Sequence, residues 1–429
     1  MYDKRFLGMF GLSEAEAIRL LDAPMGSEEG QSRYVAACEL ANYPTAGAIA
    51  ALTRAIENTA PELNNRIVRR KAVETLGRLK ASQALPIIGD CLKDEDNYTV
   101  ENAVWSIGEI GTDDESVLAA MAALLDKPEQ TYRVIIHTLA KLGYQTGVEK
   151  IRGFVDHEDK TIASAAMTAI ARLTGDRALL QTVTEFLFHP NVYTRRLCIQ
   201  DLIDAQYWEA IPEIAKAPVS VVFRLRGIRA LADAGHAAGK LSFTEVQPPL
   251  EKALYDHPQD ITMVHEYDPP PTLAFLIDEL FQTDFGRCYL GSQILLTEHR
   301  DAAKAAVMAA YMDKARSDYG AHYHVMKLMG WLKLDMAYGL IVSEGLNNPQ
   351  PQFLKSRYAA ALTLGELGDR AAIAPRQACL DSPLWTLKYA ALLALEKLGD
   401  RSGLDIASQD DDWLIRAKAQ QLSETALAS

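Results

Sequence analysis

Apolar and small residues recur in one helical pattern about every 31 residues along the chain. The pattern reads RRKAVETLGRLK at 69–80 and returns as VENAVWSIGEIG at 100–111 and YRVIIHTLAKLG at 132–143. Its central Leu or Ile falls at positions 31 or 32 apart: Leu76, Ile107, Leu139, Ile170 and Leu202. It recurs at Leu364 and Leu395, again 31 apart. A period of this length predicts a solenoid of stacked helical repeats.

Each repeat combines two helical segments. An apolar stripe such as ALPIIGDCL at 84–92 is followed by an acidic turn, KDEDN at 93–97, and then by the recurrent segment. Gly after the last apolar turn allows the left-handed conformation that ends a helix, and Asp in the turns suits the N-cap position. The pattern predicts an all-α fold, a curved α-α superhelix of helical hairpins with a concave groove.

The rhythm divides the chain into zones. We predict leader helices at 1–30, regular repeats at 31–235, irregular helical repeats with Pro-rich breaks at 236–350, and C-terminal regular repeats with a cap at 351–429. Ser13 and Glu16 in the leader have the spacing of a capping box. In the irregular zone, the prolines at 248–249 and 269–271 are predicted to interrupt the helices.

Composition narrows the function classes. The chain has 429 residues, 48% of them hydrophobic, and a net charge of −13. An acidic chain is a poor match for nucleic acid, because phosphate binding requires a basic face. No apolar run reaches the roughly 18 residues that a membrane helix needs, and MYDKRFLGMF lacks the features of a secretory signal. We expect a cytoplasmic protein that binds neither nucleic acid nor membrane.

The cysteines and histidines show no metal-ligand spacing. The five cysteines are scattered without a CxxC motif, and the nine histidines form no HxxxH or HExxH. This fits a reducing compartment, in which free cysteine packs as a small hydrophobe. We expect no structural metal site.

The repeats differ in polarity along one helix face. Residues six and two positions before the central Leu share that face, and in the first half they form polar pairs: Arg70 with Glu74, Glu101 with Trp105, Arg133 with His137, Ser164 with Thr168, and Arg196 with Gln200. The C-terminal pairs begin with Tyr358 and Tyr389 and are apolar. Two interpretations stay open: the wall of a groove for an anionic, conjugated ligand, or a solvated face with i,i+4 salt bridges such as Arg70–Glu74.

One position further back, basic residues recur beside the acidic turns. They are Arg69, Arg195, Arg357 and Lys388. We predict that they form a ladder of ion pairs between neighbouring repeats.

The irregular zone contains a second concentration of polar and aromatic residues. HEYDPPP supplies Tyr267 and Asp268, and SDYGAHYH supplies Asp318, Tyr319 and His322. Such residues suit general acid–base chemistry and ring stacking. They equally suit a loop anchored by Tyr and His, which the residues alone slightly favour. Trp331 and Trp385 fall in apolar helical patterns and are predicted to be core residues.

Three consecutive segments resemble a known family. NNRIVRRKAVETLGRLK at 64–80, YTVENAVWSIGEIGT at 98–112 and TYRVIIHTLAKL at 131–142 resemble the HEAT-like repeats of phycobilin lyases of the E/F type, in the phycoerythrin-directed single-chain branch. The opening DKRF at 3–6 also fits. The resemblance implies a cyanobacterial enzyme that attaches phycoerythrobilin through a thioether to a cysteine of a phycoerythrin α subunit. Some relatives also isomerise the bilin to phycourobilin.

The resemblance also suggests residue roles, with the bilin as substrate and no permanently bound cofactor. Propionates would pair with arginines, pyrrole nitrogens with carboxylates, and the conjugated rings with aromatic faces. The candidates are Arg70 (beside Glu74), Arg133 and Arg196 for the propionates; Glu101, Asp268 and Asp318 for the nitrogens or the ring proton; Trp105, Tyr267 and Tyr319 for stacking; and His137 or His322 for proton transfer. Cys288 is a candidate for a transient adduct.

Two other functions compete with this one. A non-enzymatic HEAT-repeat scaffold or chaperone for phycobiliprotein assembly would share the repeats. A HEAT-like DNA repair enzyme would need a basic groove, which the net charge of −13 disfavours.

Overall fold

The computed structural model describes residues 11–24, 32–268, 270–368 and 373–427, and these contain helices and no β-strand. The prediction of an all-α fold of stacked helical repeats is confirmed. The DKRF segment at 3–6 lies outside the described residues. The chain forms two compact units, Met1–Leu180 and Gln181–Ser429. In the described part, no helix is long and apolar enough to cross a membrane.

The helices of unit 1 are α1 Glu14–Leu21, α2 Arg33–Glu39, α3 Ala46–Glu57, α4 Leu63–Arg78, α5 Leu85–Asp90, α6 Asn97–Ile110, α7 Glu115–Ala123, α8 Tyr132–Lys141, α9 Val148–Arg152 and α10 Lys160–Thr174. The predicted capping box is present at the start of α1, where Ser13 and Glu16 bond reciprocally.

Unit 2 follows with α11 Leu180–Glu185, which begins on the last residue of unit 1, then α12 Val192–Asp204, α13 Ile211–Lys216, α14 Val221–Ala237, α15 Phe243–Tyr255, α16 Leu273–Glu279, α17 Phe285–Thr297, α18 Arg300–Asp313, α19 Ala321–Trp331, α20 Tyr338–Leu340, α21 Leu354–Leu367, α22 Ile373–Ala378, α23 Trp385–Lys397, α24 Leu404–Ala407 and α25 Trp413–Leu427. A π-helical turn, Ile341–Leu346, continues α20.

The second helix of each repeat stacks on the second helix of the next, as α4, α6, α8 and α10 do in unit 1. We call these the stacking helices; in unit 2 α12 stacks on α14, and α17, α19, α21 and α23 form a second run. Each central Leu or Ile is buried. The residue before it is often a hydroxyl that donates to a carbonyl of the preceding stacking helix, as Ser106 does to Val73 at 2.9 Å and Thr363 to Met326 at 2.9 Å. These bonds fix the register between repeats.

The residue after the central Leu is small where two stacking helices approach most closely. A methyl group placed on Gly77 would lie 2.8 Å from Cα of Ser106, and one on Gly108 would lie 2.9 Å from Cγ2 of Thr138. Distances this short cannot be relieved by turning a side chain when the neighbour is backbone. Gly77 therefore sets the spacing between α4 and α6.

Three of the four predicted ion pairs are present among the described residues, whereas Arg357 donates to the carbonyl of Leu346 at 2.9 Å. Arg69 pairs with Asp94 at 2.8 Å and Lys388 with Asp410 at 2.5 Å, and each acid lies in the turn before the second helix of the next repeat, α6 or α25. Arg195 pairs with Asp284, the N-cap of α17. The structure adds one ion pair that the sequence analysis did not predict. The buried Arg224 pairs with the buried Asp256.

The prolines at 248–249 do not interrupt a helix, so that prediction was wrong. They lie inside α15, which runs from Phe243 to Tyr255. The capping box of Ser242 and Glu245 secures the first turn, and the buried apolar face of α15 compensates for the bonds that the prolines cannot donate.

Unit 2 brings its last helix back to its early ones. The indole of Trp413 on α25 donates to Asp233 on α14 at 2.8 Å and stacks on His236 with 4.1 Å between ring centroids. Gln421 and Gln247 exchange side-chain hydrogen bonds at 2.7 and 2.8 Å. The unit is therefore held together by contacts about 180 residues apart in sequence as well as by neighbouring repeats.

The spacing set by Gly77 can be tested by Gly77→Ala. We expect the free energy of unfolding to fall by about 1–3 kcal/mol, because the added methyl group would push α4 away from α6. Gly89→Ala is the matched control, since its methyl group would meet Val117 at 4.0 Å and nothing nearer. That control should be neutral or stabilising by up to about 1 kcal/mol. Equal effects in urea denaturation would contradict the prediction.

Candidate functional site

The polar stripe predicted on α4, α6 and α8 lies where one stacking helix meets the start of the next. Arg70 binds the N-cap of α6, Asp96, with two bonds of 2.6 Å. Glu101 accepts a bond of 3.0 Å from Thr131, the N-cap of α8. Arg133 donates to a carbonyl in the first turn of α10 at 2.6 Å. Each of these three residues therefore connects its own repeat to the next one.

The expected Arg70–Glu74 salt bridge is absent among the described residues, so the prediction of that pair was wrong. Glu74 pairs instead with Lys71 and with Arg78, the latter at 2.6 Å. Burial favours a neutral Asp96, but hydrogen bonds from Arg70 and Thr99 outweigh it and hold the pKa of Asp96 below its ordinary value. Trp105 and His137 lie half-buried on the same face. Bilin-binding roles for this stripe stay predictions.

In unit 2, Tyr267 anchors the segment before α16. Its hydroxyl donates to Glu279 at 2.6 Å, and its ring packs edge-on against Phe275. Burial and the bond to Glu279 raise the pKa of Tyr267 well above its ordinary value. The neighbouring Asp268 is exposed. This geometry fits the loop-anchoring alternative for Tyr267.

Asp318 and Tyr319 stand together at the start of α19. One oxygen of Asp318, Oδ1, accepts the backbone N–H groups of Gly320 and Ala321 at 2.8 and 2.7 Å, which caps the helix. No residue in the described part of the chain donates a hydrogen bond to its other oxygen, Oδ2. Tyr319 is 50% exposed. The geometry thus presents a carboxylate and an aromatic face side by side.

His322 and Arg196, also predicted site residues, are placed differently. His322 is fully buried, shares a hydrogen bond of 2.9 Å with Ser356, and has its pKa lowered to about 4 by burial. It is therefore a neutral core residue at physiological pH, and its role as proton carrier stays a prediction. Arg196 donates to the carbonyl of Thr283 at 2.7 Å, and its charge acts on the hydroxyl of Tyr319.

A buried lysine that the sequence analysis missed lies directly behind Tyr319. Lys355 is 5% exposed, and its Nζ lies 3.6 Å from the ring centroid of Tyr319, 4.4 Å from that of Phe285 and 5.3 Å from that of Tyr323. Within the described part of the chain, this Nζ has no hydrogen-bond acceptor. Burial lowers the pKa of Lys355 to about 7.

This position is unfavourable for a cation. Lys355 is the second residue of α21, where the positive end of the helix dipole opposes an ammonium. Removing the charge from water costs several kcal/mol, and each ring contact returns about 1 kcal/mol. A group held at such a cost is more often functional than structural.

Another buried polar atom near Lys355, His324 Nε2, also lacks a partner in the described structure, whereas the hydroxyls of Ser220 and Tyr358 interact with those of Tyr319 and Tyr323. The ring of His324 contacts Phe285 and Tyr323, and Tyr358 packs beside Tyr323. We call Ser220, Phe285, Tyr319, Tyr323, His324, Lys355 and Tyr358 the Lys355 cluster. Buried polar groups without partners mark a place for water or a ligand.

The ends of several helices add to the attraction for an anion. Arg224, Tyr289 and Tyr323 all bind Asp256 from the first turns of α14, α17 and α19, so these helices begin side by side next to the Lys355 cluster. Helix N-termini present partial positive charge and bind anions. With Tyr319 exposed above, the cluster suits an anionic group attached to a planar ring.

A cleft of about 710 Å³ lies at the opposite, C-terminal ends of the stacking helices. Trp331 lines it, so the prediction of a core position for Trp331 was wrong; His257 packs edge-on against the indole at 4.9 Å. The volume of the cleft lies within the range of ligand-binding pockets. The lysines that line the cleft do not by themselves indicate an anion site, because the helix dipole favours lysines at helix C-termini. Lys333 and Lys397 both pair with Glu366.

Cys288 is not placed for chemistry. It is fully buried, its Sγ lies 3.4 Å from the carbonyl oxygen of Gln282, and burial raises its pKa to about 12. A thiolate is the reactive form of cysteine. The structure therefore argues against a transient adduct at Cys288.

Parts of the chain match the HEAT-like repeats of known proteins. A family model of HEAT repeats matches residues 62–140, and a model of the PBS lyase HEAT-like repeat matches 356–382. The chain is 30% identical over 217 residues to the phycocyanobilin lyase subunit alpha of Synechococcus elongatus, covering 47% of this chain and 79% of that protein. The chain belongs to the E/F-type phycobilin lyases. The resemblance seen in the sequence to this family is confirmed.

Two longer matches within the family span most of the chain. The uncharacterized phycocyanin operon protein Y of Pseudanabaena tenuis (strain PCC 7409) is 53% identical over 417 residues, covering 97% of this chain and 99% of that protein. The bilin biosynthesis protein CpeY of Synechococcus sp. (strain WH8020) is 32% identical over 340 residues, covering 78% and 81%. The similarity to operon protein Y, which covers 97% of this chain, therefore includes unit 2.

The cost of burying Lys355 predicts that Lys355→Met stabilises the protein. We expect a gain on the order of 1–3 kcal/mol at pH 6. Between pH 7 and about 10, the unfolded lysine holds a proton that the folded one has released, so wild-type stability rises with pH. The advantage of the variant should shrink over that range.

Urea denaturation at several pH values measures this difference. The control is Lys252→Met, at a side chain that is 57% exposed, and it should show no such pH dependence. A Lys355→Met variant less stable than wild type at pH 6 would mean that the ammonium has a stabilising partner.

Proposed function

We propose that this lyase attaches phycoerythrobilin through a thioether bond to a cysteine of a phycoerythrin α subunit. The bilin is a substrate and the client protein supplies the thiol, so no resident cofactor is needed. The family relationship and the similarity to a bilin biosynthesis protein support the activity. The observation that carries the choice of site is the unpartnered Lys355 ammonium beneath the exposed ring of Tyr319.

The chemistry is the addition of a thiol across the ethylidene double bond of the bilin. Sulfur bonds to one carbon, the thiol gives up its proton, and the adjoining conjugated system gains one, so nothing leaves. The enzyme must hold the propionates, support the conjugated rings and manage that proton. In our proposal Tyr319 stacks on the bilin, Oδ2 of Asp318 accepts its pyrrole N–H groups, and Arg196 lies near enough to act on the same ligand.

The main alternative is a scaffold or chaperone that binds the phycobiliprotein without performing chemistry. It would use the same repeat surfaces. Isomerisation of the bilin to phycourobilin during attachment is a further possibility within the proposed activity. Both alternatives give different products from the proposed reaction, so one experiment separates them.

The test is coexpression of the chain with enzymes that make phycoerythrobilin and with a phycoerythrin α subunit. We expect a bilin that stays on the α subunit in a denaturing gel, detected by zinc-enhanced fluorescence. An absorption band of attached phycoerythrobilin indicates lyase activity alone, and a band at shorter wavelength indicates isomerisation as well. An α subunit without covalent bilin would support the scaffold.

The position of the site predicts which substitutions matter. Asp318→Asn keeps the helix cap but removes the charge, and Tyr319→Ala removes an exposed ring, so both should fold. We expect each to lower the initial rate of attachment by about ten-fold or more. Trp331→Ala, in the cleft at the other helix ends, should leave the rate unchanged. Loss of activity in Trp331→Ala alone would move the site to the cleft.

A further inference from the structure

We propose that Lys355 is the anchor for one carboxylate of the tetrapyrrole, reached when the ring of Tyr319 swings away from it. This inference rests on the proposed function, because the ligand class comes from there. It adds a binding residue and a moving cover that neither the repeat pattern nor the family relationship assigns.

The first step of the argument is the lack of a direct counterion. The charge of the deeply buried Asp256 acts on Lys355, but Arg224, Tyr289 and Tyr323 already bind its two oxygens. Asp318 is engaged as the cap of α19 through Oδ1. Neither carboxylate is hydrogen-bonded to Lys355 in the described residues. The ammonium therefore faces rings on three sides and has donor capacity to spare.

The second step is the set of groups beside the ammonium. Ser220 Oγ interacts with the hydroxyl of Tyr319, and Tyr358 Oη with that of Tyr323; a hydroxyl released from its partner can donate to a carboxylate. The helices that begin beside them contribute partial positive charge. A carboxylate at this place would meet two hydroxyl donors, an ammonium and helix N-termini. No cation or neutral ring would satisfy the same groups.

The third step is access. Tyr319 has the closest of the three rings to Nζ, at 3.6 Å, and it is half exposed, whereas Tyr323 is fully buried. A rotation of the Tyr319 side chain would uncover Nζ without disturbing the core. The displaced ring would then lie against the conjugated part of the same ligand, so one residue covers the empty site and stacks on the bound ligand.

A purely structural lysine, satisfied by its ring contacts, makes opposite predictions about ligand binding. Biliverdin is a suitable probe, because it is a linear tetrapyrrole with two propionates. Its dimethyl ester has the same rings without the charges. The dissociation constants of both are measured with the full chain by absorption and induced circular dichroism.

Wild type should bind the diacid about ten-fold or more tightly than the diester, because one carboxylate pairs with an ammonium away from water. Lys355→Met should abolish most of that preference while leaving the affinity for the diester unchanged. Lys252→Met is the control and should keep the wild-type ratio. An unchanged ratio in Lys355→Met overturns the inference, and so does a wild type that binds neither probe.

The preference should also depend on pH. Lys355, with a pKa of about 7 in the free protein, is charged at pH 6 and largely neutral at pH 9. The preference of wild type for the diacid over the diester should fall between pH 6 and pH 9. Lys355→Met lacks the titrating lysine, so its preference should not fall for this reason. Other titratable or charged groups face the site: Arg224, Asp256, Cys288, Asp318, His322 and His324. They remain in the variant, so subtracting its profile removes their contribution.

Failure of this inference differs from failure of the proposed function. If Lys355→Met keeps the diacid preference but coexpression still yields covalent bilin, the lyase activity stands and the anchor lies elsewhere. If coexpression yields no covalent bilin while Lys355→Met loses the preference, the anchor stands in a protein that binds bilins without attaching them.

Discussion

The close approach of successive stacking helices is the contact on which the rest of the structure depends. In several repeats a hydroxyl before the buried Leu or Ile bonds to the previous helix, and a glycine after that helix's own Leu lets the backbones touch, as Ser106 and Gly77 do. The same device recurs in unit 2 at Thr363 and Gly330. Because equivalent residues meet, the stacking helices run parallel, and all of their N-termini face one side of each stack.

Because the helices are parallel, the two ends of each stack carry partial charges of opposite sign. At the C-terminal ends in unit 2, the helix dipole favours lysines. Lys333 and Lys397, which line the cleft, both pair with Glu366. At the N-terminal ends the helices repel cations and attract anions. Lys355 is buried and placed against this field, which distinguishes it from the lysines of the cleft. The half-buried carboxylate of Asp318 and the exposed ring of Tyr319 lie at the same end, so the proposed binding and chemistry share one location.

The sequence predicted local features well and distant partners poorly. Leu76 and its equivalents predicted the stacking, and Arg69 predicted the ladder, because both follow from one repeated period. The partner expected for Arg70 was Glu74, one turn away. The structure pairs Arg70 with Asp96, 26 residues further on, because the next helix brings its N-cap closer than the adjacent turn. Trp331 looked like a core residue because its helix is apolar, yet it ends that helix at an open cleft.

The sequence by itself determined the repeat, the all-helical fold and the family, since each is recorded in a periodic or contiguous run of residues. The tertiary structure alone decided which polar side chains are already paired. Lys355 belongs to the run LKSRYAAA, in which it resembles any surface lysine. Its isolation arises from Phe285, Tyr319 and Tyr323, which come from two other helix starts. Burial and hydrogen bonding are properties of assembled surfaces, so no single segment of the chain could reveal them.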